Sequence, residues 1–199
     1  MFKKVMNIVI FALIFALYFV SFLMIFDSFK ERKLASVEKE AIDVFEDEVK
    51  IEQKKPTEQP SSTSSSISYS GFTIVGKIDI PKIHFSSVII KEQTSKAMNV
   101  GIVKTYGTEV NNEGGFVLSG HNFRGSNIFF YNIRNLRAGD SIKITDTSGV
   151  QLDYTVYEVL RNVNPEDTSY LNTFDSFHVT LVTCEDGGKA RIVVKARVN

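Results

Sequence analysis

The chain contains one cysteine, Cys184, in the run HVTLVTCEDGGKARIVVKARV. Two strand-like segments there flank Gly187-Gly188, a pair that favours a tight hairpin turn. If those glycines form the loop, Asp186 faces Lys189, Glu185 faces Ala190 and Cys184 faces Arg191. Directly opposed residues share a sheet face with Cβ atoms about 4.5 to 5.5 Å apart. The spacing therefore predicts a thiol beside a guanidinium. A fixed positive charge favours thiolate over thiol, and the thiolate is the nucleophile. Arginine also offers donors that can hold the oxyanion of an acyl-transfer intermediate. The plain alternative makes Cys184 an inert core thiol and Arg191 a cation on a sheet face.

A cysteine nucleophile that releases an amine needs a proton donor, usually histidine. The chain has three. His178 opens the same predicted strand that Cys184 closes, about 20 Å away at roughly 3.3 Å per residue. His84, between Ile83 and Phe85, suits a structural or surface role. His121 closes the apolar run FVLSGHN, at the mouth of a strand where a side chain can reach a cleft. Gly120 before it permits close backbone approach. The lone cysteine excludes an internal disulfide framework and a cysteine-rich zinc site.

Thr180, Leu181, Val182, Thr183 and Cys184 spell the Thr-Leu-x-Thr-Cys signature of the sortases. With Gly120-His121 upstream and Arg191 opening the last strand, the segment from Gly71 to Asn199 resembles that family closely. The resemblance implies an eight-stranded β-barrel on the outer face of a Gram-positive-type membrane. It implies cleavage between Thr and Gly of a Leu-Pro-x-Thr-Gly-like sorting motif, then transfer of the acyl group to an amine of the cell wall. Cys184 would form the thioacyl enzyme, His121 would protonate the departing amine, and Arg191 would steady the oxyanion. Coupled titration of thiol and imidazole can make the active charge state a minority species. Val182, Thr183 and Asn122 become substrate-binding candidates.

The partners implied are sorting-signal-bearing surface proteins and a cell-wall precursor or pilin amine. No cofactor is expected. Glu109 and Glu113 fall short of the six to eight oxygens that calcium takes. The N-terminal apolar run, short Cys-to-Arg connection and lack of a long C-terminal tail suit class A or class D. No Asp-Pro-aromatic lid motif precedes the barrel, which argues against the pilin-polymerising group. Two rival readings stand beside this one: a cysteine peptidase whose acyl-enzyme is resolved by water, and a non-catalytic, tethered peptide-binding β-domain.

The elements that must position these residues are mainly β. FTIVGKIDI, FSSVII, GGFVLSG, SIKITD, QLDYTVYEVL, HVTLVTC and ARIVVKARV are short, rich in Val, Ile, Thr and Tyr, and separated by Gly, Asn and Asp clusters. Such spacing favours a barrel or sandwich. KAMNVGIVKTYG and SNIFFYNIRNL interrupt the pattern as short helices or helical turns. The loop RNVNPEDTSYLNT, before the cysteine strand, is a candidate groove wall. Arg124, Arg134 and Arg137 read as solvated, and Phe129 with Phe130 as core.

Upstream, Val5 to Phe26 is apolar except for Asn7 and Ser21. As a helix it rises about 33 Å, enough for a bilayer's hydrocarbon core. It lacks the short apolar region and small-residue cleavage site of a secretory signal. Lys3 and Lys4 before the span are matched by Lys30, Arg32 and Lys33 after it, so the positive-inside rule does not orient it. The sortase resemblance implies an N-terminus inside and an extracytoplasmic domain.

Residues 1–27 are thus read as cytoplasmic terminus and transmembrane anchor, 28–55 as a charged helical stalk, 56–70 as a flexible Ser/Pro-rich linker and 71–199 as the barrel. Leu34, Val37, Ala41 and Val44 form a weak stripe, read as a solvated helix rather than a coiled coil, with Ile42 and Val49 breaking it. The linker composition cannot bury enough surface to offset its ordering entropy. A formal net charge of zero with no basic cluster gives no footprint for nucleic acid.

Overall fold

The structure, a computed structural model, describes residues 2–54, 67–123, 129–171 and 176–198. The chain divides into two compact units, residues 1–36 and 37–199. The first is helical, part of α1 (Phe2–Lys54). Its large apolar side chains, Phe11, Phe15, Tyr18 and Met24 among them, are exposed. Among the described residues α1 is the one helix long and apolar enough to cross a membrane.

The second unit is a barrel. Its strands in chain order are β1 (Ile67–Tyr69), β2 (Phe72–Ile80), β3 (Phe85–Ile90), β4 (Ile102–Gly107), β5 (Gly115–Gly120), β6 (Ser141–Asp146), β7 (Gln151–Val163), β8 (His178–Glu185) and β9 (Ala190–Val198). They pair in the order β1-β2-β3-β4-β5-β8-β9-β7-β6, and β6 pairs back onto β2. That last pairing closes an eight-stranded barrel from β2 to β9, with β1 as a short extra strand beside β2. Closure leaves the barrel strands without free edges.

Period-two alternation explains why these segments are strands. Along β2, Ile74, Gly76, Ile78 and Ile80 are buried while Val75, Lys77 and Asp79 are partly open. Phe116, Leu118, Leu181, Ile192 and Val194 are also buried in the barrel. The expected barrel is therefore present. Its eighth strand is β4, which lies in a stretch expected to be helical. There KAMNVGIVKTYG makes only a 3₁₀ turn at Ala97–Asn99 before Ile102–Gly107 extends. From the other stretch, Tyr131–Asn135 is a 3₁₀ helix, and residues 126–128 lie outside the described residues.

The stalk and linker boundaries need correction. Ala41, Phe45 and Val49 on α1 are buried in one cluster with Ile67, Ile74, Val88, Ile90 and Val103 of the sheet. The four-residue spacing 41, 45, 49 tracks one helix face, so Val49 continues the apolar stripe rather than breaking it. Lys77 Nζ donates to Glu46 Oε1 at 2.7 Å and Tyr69 Oη to Glu40 Oε2 at 2.9 Å, tying the same helix to β2 and β1. Residues 37–49 are thus part of the folded domain, not a solvated stalk. Ile67–Tyr69 is a strand within the span read as linker and Ser70 a turn; residues 56–66 of that linker lie outside the described residues.

Candidate active site

The site is built at the ends of two neighbouring parallel strands. β5 and β8 run in register from Gly115↔His178 to Gly120↔Thr183. One residue beyond this last pair stand His121 and Cys184. The Thr183 hydroxyl donates to the Gly120 carbonyl at 2.8 Å and locks the strand ends together. Gly120 is required by contact: a Cβ there would lie 2.5 Å from Ile102 Cδ1 and 2.9 Å from the Phe130 ring.

The β8–β9 hairpin supplies the third group. Cys184 is the register partner of Arg191 and Glu185 of Ala190. The turn is Asp186–Gly188 with Lys189, closed by the Lys189 amide on the Asp186 carbonyl at 3.2 Å. Arg191 Nη1 donates to the carbonyls of Gly188 at 3.0 Å and Ala190 at 3.1 Å, so the turn itself holds the guanidinium. Cys184 is a free, exposed thiol.

His121 is half-buried among aromatic rings, with the Phe123 centroid at 5.0 Å and Phe129 edge-on at 6.0 Å. Burial lowers its pKa below the usual imidazole value, because desolvation penalises the charged form. Phe129 and Phe130 are buried as core, as expected.

The three residues singled out for chemistry therefore converge on one barrel end. His178 is buried at the far end of β8, its Nδ1 within 3.2 Å of the Ser176 hydroxyl, and His84 is exposed. The substrate-binding candidates are placed differently from the expectation. Thr183 is buried and points away from the Cys184 face, as strand alternation requires. Val182 shares the Cys184 face but is buried with Val117 and Val193, packed by Leu160, Val163, Tyr170 and Leu171. Asn122 uses its carboxamide internally, Nδ2 donating to the backbone carbonyl of Cys184.

Arg134, read as a solvated cation, is engaged as well. Its Nη2 donates to Asn122 Oδ1 at 3.2 Å, its Nε to the Tyr131 carbonyl at 3.0 Å, and its guanidinium lies over the Tyr131 ring. Arg137 is exposed, and Arg124 lies outside the described residues. Tyr170 and Leu171 are an apolar pair in the segment expected as a groove wall, RNVNPEDTSYLNT; its residues 161–163 belong to β7 and 172–173 lie outside the described residues. Glu109 and Glu113 are exposed, and among the described residues no three His, Cys, Asp or Glu side chains converge.

Residues 78–199 match the family model of the sortase domain. The chain belongs to the sortase family. A sortase A of Bacillus anthracis is 27% identical over 123 residues, 60% of this chain and 58% of that protein. A sortase A of Listeria monocytogenes is 26% identical over 129 residues, 63% of this chain and 57% of that protein. The matches thus span less than two thirds of these curated relatives. A solved Clostridium perfringens sortase D5 transpeptidase is 28% identical with a TM-score of 0.59, covering 85% of this chain and 98% of that one.

Proposed function

We propose that this sortase is a membrane-anchored cysteine transpeptidase. The observation that carries the reading is the register that sets Cys184, His121 and Arg191 at neighbouring strand ends. Cys184 Sγ attacks the Thr carbonyl of an LPxTG-like motif, giving a tetrahedral oxyanion. Because Arg191 Nη1 is spent on the turn, its Nε and Nη2 are the donors for that oxyanion. Collapse breaks the Thr–Gly C–N bond while His121 protonates the departing glycine amine, leaving a thioester. An incoming cell-wall or pilin amine, deprotonated by His121, attacks that thioester and releases the thiolate.

Leu160, Val163, Tyr170 and Leu171 pack over Val117, Val182 and Val193 on the Cys184 face and are themselves only partly buried, which supports an apolar recognition segment such as Leu-Pro. The apolar α1 supports single-pass anchoring, and sortase family membership supports a barrel outside the cell. Similarity to both a sortase A and a sortase D5 supports an anchoring class A or D role. Exposure of Cys184 also favours a second outcome, hydrolysis of the thioester by water.

The test uses the full chain in detergent with an LPxTG peptide library, with and without an added amine, read by mass spectrometry. Expected are Thr–Gly cleavage and an amine-ligated product, both lost in Cys184→Ala and both insensitive to a calcium chelator. Cleavage with no ligated product at saturating amine would make the protein a peptidase. No cleavage of any peptide would move it to the binding-domain reading.

A further inference from the structure

The cysteine strand outlasts its neighbour. β5 pairs with β8 only as far as Gly120↔Thr183, then the chain turns away through His121, Asn122 and Phe123. Cys184, the next residue of β8, lies beyond the stretch paired with β5, which offers its carbonyl no backbone donor. The Asn122 side chain provides it through Nδ2. A side-chain amide thus continues the ladder for one further hydrogen bond, joining the peptide of Cys184 to the loop that carries His121.

The direction of that amide is set by a second residue. Carboxamide oxygen and nitrogen can exchange places unless their partners decide between them. Arginine only donates and a backbone carbonyl only accepts. With Arg134 Nη2 at Oδ1 and the Cys184 carbonyl at Nδ2, one orientation satisfies both. Arg134 is itself held by the Tyr131 carbonyl, by stacking on the Tyr131 ring, and by Arg161 Nη2 donating to its own carbonyl.

We propose that Asn122 and Arg134 are positioning residues of the cysteine site: Asn122 clamps the Cys184 peptide to the His121 loop, and Arg134 orients Asn122. The proposal rests on the transpeptidase reading for its kinetic consequence, though the clamp itself does not. Holding two reacting groups in register is worth a large share of a rate, and displacement near 1 Å costs about a hundredfold.

The experiment compares the full chain with Asn122→Ala, Asn122→Asp, Arg134→Ala, Arg134→Lys and the Asn122→Ala/Arg134→Ala double variant. Turnover of the sorting peptide and backbone hydrogen exchange are both measured. Asn122→Ala and Asn122→Asp should lower kcat by about ten- to a hundredfold with KM nearly unchanged. Asn122→Asp keeps the Arg134 pair but loses the donor. Arg134→Ala should lower kcat less, Arg134→Lys should recover part of that loss, and the double variant should match Asn122→Ala alone.

Exchange should quicken together at residues 121–123 and 184–186 in Asn122→Ala while the barrel strands keep their protection. A raised KM with kcat intact would make Asn122 a substrate contact and overturn the proposal. Additive losses in the double variant, or unchanged exchange at both segments, would overturn it equally. Should no peptide be turned over by the wild-type chain, the functional reading fails, and the exchange result alone decides the clamp.

Discussion

The imidazole of His121 is tuned by its neighbours rather than by a charge. Phe123 and Phe129 pack on it and burial lowers its pKa, so at neutral pH the resting ring is uncharged. The proton donor required for amine departure is then the less populated form, and acidification through the lowered pKa increases it. A lowered folded-state pKa also means that stability held above the unfolded value is lost as pH falls and the buried ring must charge. Phe123→Ala admits water to one face of the ring and should raise the His121 pKa towards its ordinary value. NMR titration of His121 in a Cys184→Ala background reads this directly. A titration unmoved by the substitution would show that Phe123 is not the source of the desolvation.

At the scale of elements, the site depends on strand ends being held at one height. Gly120→Ala would push a methyl into Ile102 and Phe130, both fully buried. Overpacking of this kind costs about 1–3 kcal/mol, and the displaced residue is immediately followed by His121. Chemical denaturation should show that loss, with a fall in kcat larger than the lost stability explains at temperatures where the variant stays folded. A variant as active as wild type would mean that β5 can shift without moving the histidine.

The same elements show what was legible beforehand. The Cys184–Arg191 pairing could be read because β8 and β9 join through a glycine turn, and an antiparallel hairpin sets its register locally. The β5–β8 pairing is parallel and links residues about sixty positions apart, so no turn announces it. The mouth-of-strand placement of His121 was visible, but its partnership with Cys184 came from the family resemblance. Thr183 and Val182 adjoin the nucleophile in sequence, but adjacency along a strand does not set which way a side chain faces. Alternation turns Thr183 to the other face, and Val117, Val193 and the loop residues Tyr170 and Leu171 pack over Val182. Arg134 was hidden for a related reason: its partner Asn122 sits on a different turn.

The second unit as a whole is a barrel with a helix packed on it, and the helix brings a buried acid with it. Ala41, Phe45 and Val49 cover sheet residues that would otherwise face water, a gain of about 1.5–3 kcal/mol for a large side chain such as Phe45. Glu38 lies one turn before Ala41 and is 6% exposed, with Oε1 buried and without a hydrogen-bond partner among the described residues. Burial pushes its pKa up to about 7, while the Ser87 hydroxyl draws it the other way.

Because the folded value lies above the unfolded one, the folded domain binds the proton more tightly. The stability this confers is complete below the unfolded value of about 4.5 and is lost as pH rises through about 7. At about 1.4 kcal/mol per pKa unit, the charged form costs on the order of 3 kcal/mol above that range. Glu38→Gln removes the titration while keeping the shape of the side chain. Thermal melts of the full chain should place the variant above wild type at about pH 8, with the difference shrinking or reversing near pH 5. Comparing the two proteins at each pH cancels every other titrating group. A variant-to-wild-type difference that stays constant across this range would show that Glu38 remains charged in the folded protein, with water reaching the helix–barrel seam.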